Sequence, residues 1–95
     1  MTVRKYRDKQ TQRFADGERV KAFSAIERQA NRRLTFLENA GSLQAIAAYP
    51  SNRFEILRGD RSGQYSIRIN DQWRICFEWP NDETGPVNIE IVDYH

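Results

Sequence analysis

The sequence predicts an α+β fold: an N-terminal short strand and two helices packed on a small antiparallel β-sheet. Three observations predict it. Between Glu18 and Ala40 apolar residues fall at steps of three and four, the spacing of a helix with one buried stripe. After Pro50 the period drops to two, as in strands with one buried face. Clusters of Gly, Asp, Asn and Ser then separate those runs at the distances of hairpin turns. Helices followed by a strand meander place the helices on one face of the sheet. Ninety-five residues suffice for one small domain, 1–95, and are too few for two.

Taken in order, "TVRKY" alternates as a short strand with Val3 and Tyr6 inward, and "RDKQTQRFADG" reads as a short polar helix stopped by Gly17. In the long helix, Phe23, Ile26, Ala30, Leu34 and Leu37 make the apolar stripe, and Gly41 is the expected C-cap. Arg28, Arg32 and Arg33 occupy its opposite face. "SLQAIAAYP" allows one further short turn of helix, because Pro50 forbids much more. "RFEIL" is a short strand. "GQYSIRIN" sets Tyr65, Ile67 and Ile69 against Gln64, Ser66 and Arg68, and "WRICFEW" sets Trp73, Ile75, Phe77 and Trp79 against Arg74, Cys76 and Glu78. "GDRSG" and "NDQ" are turns, "PNDETGP" is a longer loop, and "VNIEIVDYH" is the last strand. The long helix covers one face of this sheet and leaves the other to water or to a ligand.

Composition narrows the chemistry. Hydrophobic residues make up 39% and charged residues 29%, which describes a folded protein with a densely charged surface. No apolar run approaches the roughly 18 residues of a membrane span, and the start lacks a secretory signal, so a cytoplasmic protein is expected. One Cys and one His cannot assemble a tetrahedral site of soft ligands, so the expected chemistry uses neither metal nor cofactor. Charge is uneven. Residues 1–33 hold ten Lys or Arg against four Asp or Glu, whereas residues 34–95 hold five against nine. That asymmetry fits either solvated helix faces or a surface turned toward a polyanion.

Arg68 and Arg74 lie on the exposed face of the central hairpin, and "ILRGDR" adds Arg58 and Arg61. A guanidinium fork suits phosphate oxygens. The plainer role for these side chains is pairing with Glu55, Glu78 or Glu90, for roughly 0–1 kcal/mol each. If the last strand pairs within the sheet, "DYH" forms a rim rather than a tail. Asp93 and His95 share one parity and Tyr94 takes the other, so the three meet at a common edge only if the strand twists or bends there. His95 can take and return a proton near neutral pH, and Tyr94 can stack on a base. Cys76, mid-strand among apolar neighbours, reads as a small buried hydrophobe.

The stretch "LRGDRSGQYSIRINDQWRICFEW", followed by "VNIEIVDYH", resembles the HigB branch of the RelE superfamily, toxins of type II toxin-antitoxin modules that cut messenger RNA on the ribosome. The resemblance implies the RelE-like microbial RNase fold. It implies an active site containing Asp93, Tyr94 and His95, with Arg74 as the phosphate-binding arginine and Arg58 in place of the family's basic residue before the Gly-Asp-Arg turn. One departure stands out: Glu55 occupies the place of a histidine common in relatives. The implied mechanism is attack by the RNA's own 2'-hydroxyl, which needs a base, an acid and cations but no metal. Cations around Glu55 favour its charged form, leaving it to accept a proton or to hold an arginine. Arg61 and Arg68, with Arg28, Arg32 and Arg33 of the basic N-terminal half, would then contact RNA. The implied partners are a HigA-like helix-turn-helix antitoxin, the ribosome and its mRNA, and operator DNA only through the antitoxin complex. Two alternatives stay open: a weakened or non-catalytic RNA-binding or operator-complex protein of the same fold, and an independent nuclease acting on free RNA.

Overall fold

The computed structural model describes residues 4–93; the expectations placed on Val3, Tyr94 and His95 lie outside them. Among the described residues the α-helices are α1 (Lys9–Ala15), α2 (Glu27–Asn39) and α3 (Leu43–Ala47). The strands are β1 (Glu55–Ile56), β2 (Tyr65–Arg68), β3 (Trp73–Glu78) and β4 (Val87–Asp93), forming one antiparallel sheet in the order β1-β2-β3-β4. This is the α+β architecture the sequence implies.

The core forms where the helical stripe meets one face of the sheet. Phe14, Phe23, Ile26, Ala30, Leu34 and Leu37 pack with Ile67, Ile69, Ile75, Phe77, Ile89 and Ile91. Ile67, Ile75 and Ile91 stand side by side across three strands. Phe23 links helix to sheet through edge-on contacts, 5.5 Å to Phe14 and 5.7 Å to Trp73. At roughly 1.5–3 kcal/mol for each large side chain buried, this layer carries most of the stabilisation.

Three local expectations are corrected. The long helix does not begin as an α-helix: Lys21–Ile26 is 3-10, and α geometry starts at Glu27. The reason is spacing, because Val20, Phe23 and Ile26, all buried, repeat every three residues and eclipse on a 3-10 helix, whereas Ile26, Ala30 and Leu34 step by four. Gly41 is not the C-cap. Asn39 ends α2 by donating its side-chain amide to the Thr35 carbonyl at 2.8 Å, and Ala40 turns out in an extended conformation. The first strand shrinks to one parallel bridge, Tyr6 to Ile89. Backbone bonds link Arg4, Lys5 and Arg7 to Asn88 and Ile89 at 2.7–2.9 Å. A bulge limits the pairing: the register steps from Cys76↔Glu90 to Glu78↔Val87, so β4 carries an extra residue there, beside Asn88 at φ 51°. The segment still covers the outer edge of β4, which would otherwise be open to strand pairing.

Candidate active site on the helix-free face of the sheet

Residues of the other parity form the second face of the sheet. One row reads Glu55, Ser66, Cys76, Glu90, and the next reads Arg68, Arg74, Val92. The centre of this face is not left to water: Ser66 and Cys76 are fully buried. Burial pushes the Cys76 thiol up, while Arg61, Arg74 and Arg7 pull it down and Glu90 pushes it up, so charged side chains converge around the thiol. Long arginine stems cover such a centre while their charged heads reach the surface.

Arg68 and Arg74 are direct cross-strand partners. Two like charges so placed repel, which costs stability unless each is answered. Each is. Arg74, with only 18% of its side chain exposed, lies 3.1 Å from Glu55, and Arg68 pairs with Asp71 of the hairpin turn. Arg53 joins them from the loop before β1, where it adopts a left-handed conformation at φ 48° after the short 3-10 turn Pro50–Asn52. Arg53, Arg68, Asp71 and Arg74 line an open cleft of about 260 Å³. Three guanidinium groups face it with one carboxylate, a lining suited to an anion with several oxygens.

A second cleft of the same volume lies on this face, lined by Arg7, Asp60, Arg61, Gln64 and Glu90. Arg61 donates to Gln64 at 3.0 Å and to Glu90 at 3.3 Å, while Arg7 lies 3.9 Å from both Glu78 and Glu90. Here the charges balance more closely, and Gln64 is itself buried.

The structure thus brings Glu55, Arg68 and Arg74 together. Arg61 belongs to the neighbouring cleft, and the exposed Arg58, at the entry of the Gly59–Arg61 turn, lines neither. Asp93 sits opposite Trp73 at the end of β4, so by parity it belongs to the core side of the sheet, at its rim, where it accepts a bond from Gln72 at 3.1 Å. Tyr94 and His95 follow it outside the described residues. Arg28, Arg32 and Arg33 lie on α2, in the helical layer across the sheet. Sequence reasoning missed Arg53. The available signal was the turn "YPSNR", whose Pro start forces a short 3-10 turn and whose end then needs a left-handed residue. Among the described residues no group of three or more His, Cys, Asp and Glu is placed to hold a metal ion, and no helix is long and apolar enough to cross a membrane.

A helical layer on a four-stranded antiparallel sheet, with arginines gathered on the helix-free face, is the architecture of the RelE-like class. Residues 4–95 match the family model described as the RelE-like toxin of type II toxin-antitoxin system HigB, and the chain belongs to that family. It is 34% identical over 76 residues to a protein named Toxin HigB-1 of Vibrio cholerae, covering 78% of this chain and 80% of the relative. Over 39 residues it is 44% identical to a protein named Endoribonuclease HigB of Proteus vulgaris, covering 41% of this chain and 40% of that one. Membership in a toxin family of type II toxin-antitoxin systems implies an antitoxin as its partner.

Proposed function

We propose that this toxin is an endoribonuclease that cuts messenger RNA on the ribosome without a metal ion. The observation that carries the reading is the cross-strand pair of Arg68 and Arg74 over an open cleft where, with Arg53, three guanidinium groups face one carboxylate, a lining that suits the oxygens of a phosphodiester. The name of the Proteus relative supports the same activity.

The chemistry follows from the ligand. The 2'-oxygen attacks the adjacent phosphorus, the bond to the 5'-oxygen breaks, and the products are a 2',3'-cyclic phosphate and a 5'-hydroxyl. Arg74 and Arg68, with Arg53 beside them, hold the phosphate and answer the charge that grows on its oxygens. Arg58 and Arg61 contact the flanking strand, and Arg28, Arg32 and Arg33 meet ribosomal RNA. His95 carries a proton, oriented by Asp93, and Tyr94 stacks on a base. Glu55 holds Arg74 in place rather than acting as the base, consistent with their 3.1 Å contact. Residues 1–95 act as one domain in the cytoplasm. The antitoxin is of the HigA-like helix-turn-helix type, and operator DNA is met only through that complex.

The test is to add the purified toxin, with excess chelator, to ribosomes programmed with a defined message and, separately, to the free message. Cleavage on the ribosome alone is the expected result. Intact message in both favours the non-catalytic reading, cleavage of free message favours an independent nuclease, and rescue by added metal removes the metal-free mechanism.

A further inference from the structure

On the helical side of the molecule, α2 and the segment after α3 enclose a cleft of about 180 Å³ lined by Arg32, Arg33, Phe36, Tyr49 and Ser51. Its construction differs from that of the sheet face. Arg33 is fixed by neutral groups: one terminal nitrogen donates to Ser51 Oγ at 3.1 Å and to Asn52 Oδ1 at 2.9 Å. Asn52 is a rigid bracket, fully buried and anchored by its own amide donating to the Ile46 carbonyl at 3.0 Å. These contacts engage two of the five N–H donors of the guanidinium, and the other three meet no acceptor among the described residues. Arg33 is therefore held in position without its charge being neutralised. Arg32, one residue away and exposed, meets no carboxylate among the described residues. Tyr49 supplies the other half of the site. It is 52% exposed, which is unusual for a large ring in this chain, and it leans on Phe36 with ring centroids 5.2 Å apart.

A positioned, uncompensated guanidinium beside an exposed aromatic face suits a planar base joined to a phosphate. We infer that this cleft binds one unpaired nucleotide of single-stranded RNA, the base stacking on Tyr49 and the phosphate taken by Arg33 and Arg32. The assignment does not rest on the cleavage reading, because a nucleotide is held here whether or not the sheet face cuts RNA.

The probe is a 2'-O-methyl RNA hexamer, which cannot be cleaved by its own 2'-hydroxyl, titrated into the intact toxin. NMR follows the Tyr49 ring and the Arg33 Nε–H signals. Both signals shift on binding; Tyr49→Ser weakens the hexamer about tenfold and Tyr49→Phe by less than about twofold. Arg33→Gln lowers the slope of log affinity against log salt by about 0.7. Thermal melts confirm that each variant is folded, as expected for a half-exposed Tyr49. Unchanged affinity in folded Tyr49→Ser overturns the assignment. So does a polyglutamate peptide that shifts these two signals when the hexamer does not, which would make the cleft a docking site for an acidic protein segment.

Discussion

The sheet face and the outer face of α2 both present arginines, yet they hold them by opposite means. On the sheet, Arg74 leans on Glu55, Arg68 on Asp71 and Arg61 on Glu90. On α2, Arg33 is held by a hydroxyl and an amide, and Arg28 and Arg32 stand in solvent without a partner among the described residues. Carboxylate pairing fixes geometry at the expense of field, because the pair presents little net charge to a distant polyanion. Arg28 and Arg32 keep the field and lose fixed geometry, while Arg33, fixed by neutral groups, keeps both. Under the proposed function the helix face would govern an RNA's approach and the sheet face the placement of the reacting phosphate, which would compete with a carboxylate already in position.

The largest effect that would sharpen this division is expected at Arg74. Arg74→Lys keeps the charge opposite Glu55 but not the fork, so single-turnover cleavage on programmed ribosomes should fall about 100-fold or more with the melting temperature nearly unchanged. Equal rates would make Arg74 a pairing residue and erase the contrast. A smaller loss, about tenfold or less, is expected for Glu55→Gln, since it loosens Arg74 without removing a proton acceptor from the reaction. A drop as deep as about 100-fold in the chemical step, with ribosome binding intact, would make Glu55 the base instead. Smaller again, Arg28→Gln with Arg32→Gln should weaken RNA binding by several-fold at low salt, and the difference should shrink as salt is raised. An effect independent of salt would show that these residues do not act through field.

The smallest expected effect concerns stability at high pH rather than ligand binding on either face. Burial, the bond to Glu38 and the charges of Glu38 and Asp16 push the Tyr6 phenol well above its ordinary 10.0, and burial pushes the Cys76 thiol above its ordinary 9.0. Both groups keep their protons in the folded chain at pH values where the unfolded chain releases them. Stability therefore falls as pH rises past about 9, and Tyr6→Phe should flatten only the part of that slope above about pH 10. A denaturant midpoint that stays level from pH 8 to pH 11 would contradict both shifts.

What could be read in the sequence was what periodicity encodes. Phe23, Ile26, Ala30, Leu34 and Leu37 are all buried, and the two-residue alternation of β2 and β3 sorted Ile67, Ile75 and Phe77 from Arg68 and Arg74. Even the pairing of strand arginines with Glu55 and Glu90 was open to sequence reasoning as a class of contact. The partners were not, because they depend on register: Glu55 reaches Arg74 through the alignment of Glu55 with Ser66 and of Ser66 with Cys76. Arg53 and Asn52 were missed for a different reason. Their positions follow from one 3-10 turn that reverses the chain, burying an amide at Asn52 and sending the next side chain to the sheet cleft. Gly41 was misread because glycine suggests a left-handed cap, while Asn39 ends the helix with its own side chain.

The bond from the Ile91 N–H to Thr11 Oγ1 joins residues 80 positions apart, and Asn88 and Ile89 bind the backbone of Arg4, Lys5 and Arg7 at a similar remove. At a synthesis rate of about 5–20 residues per second, α1 waits about 4–16 s for the strand it packs on. Without β4, the free flank of β3 is an open sheet edge. β4 closes that edge by lying between β3 and the segment around Tyr6. The N-terminal segment and α1 thus find their seat only on a strand made some 80 residues after them.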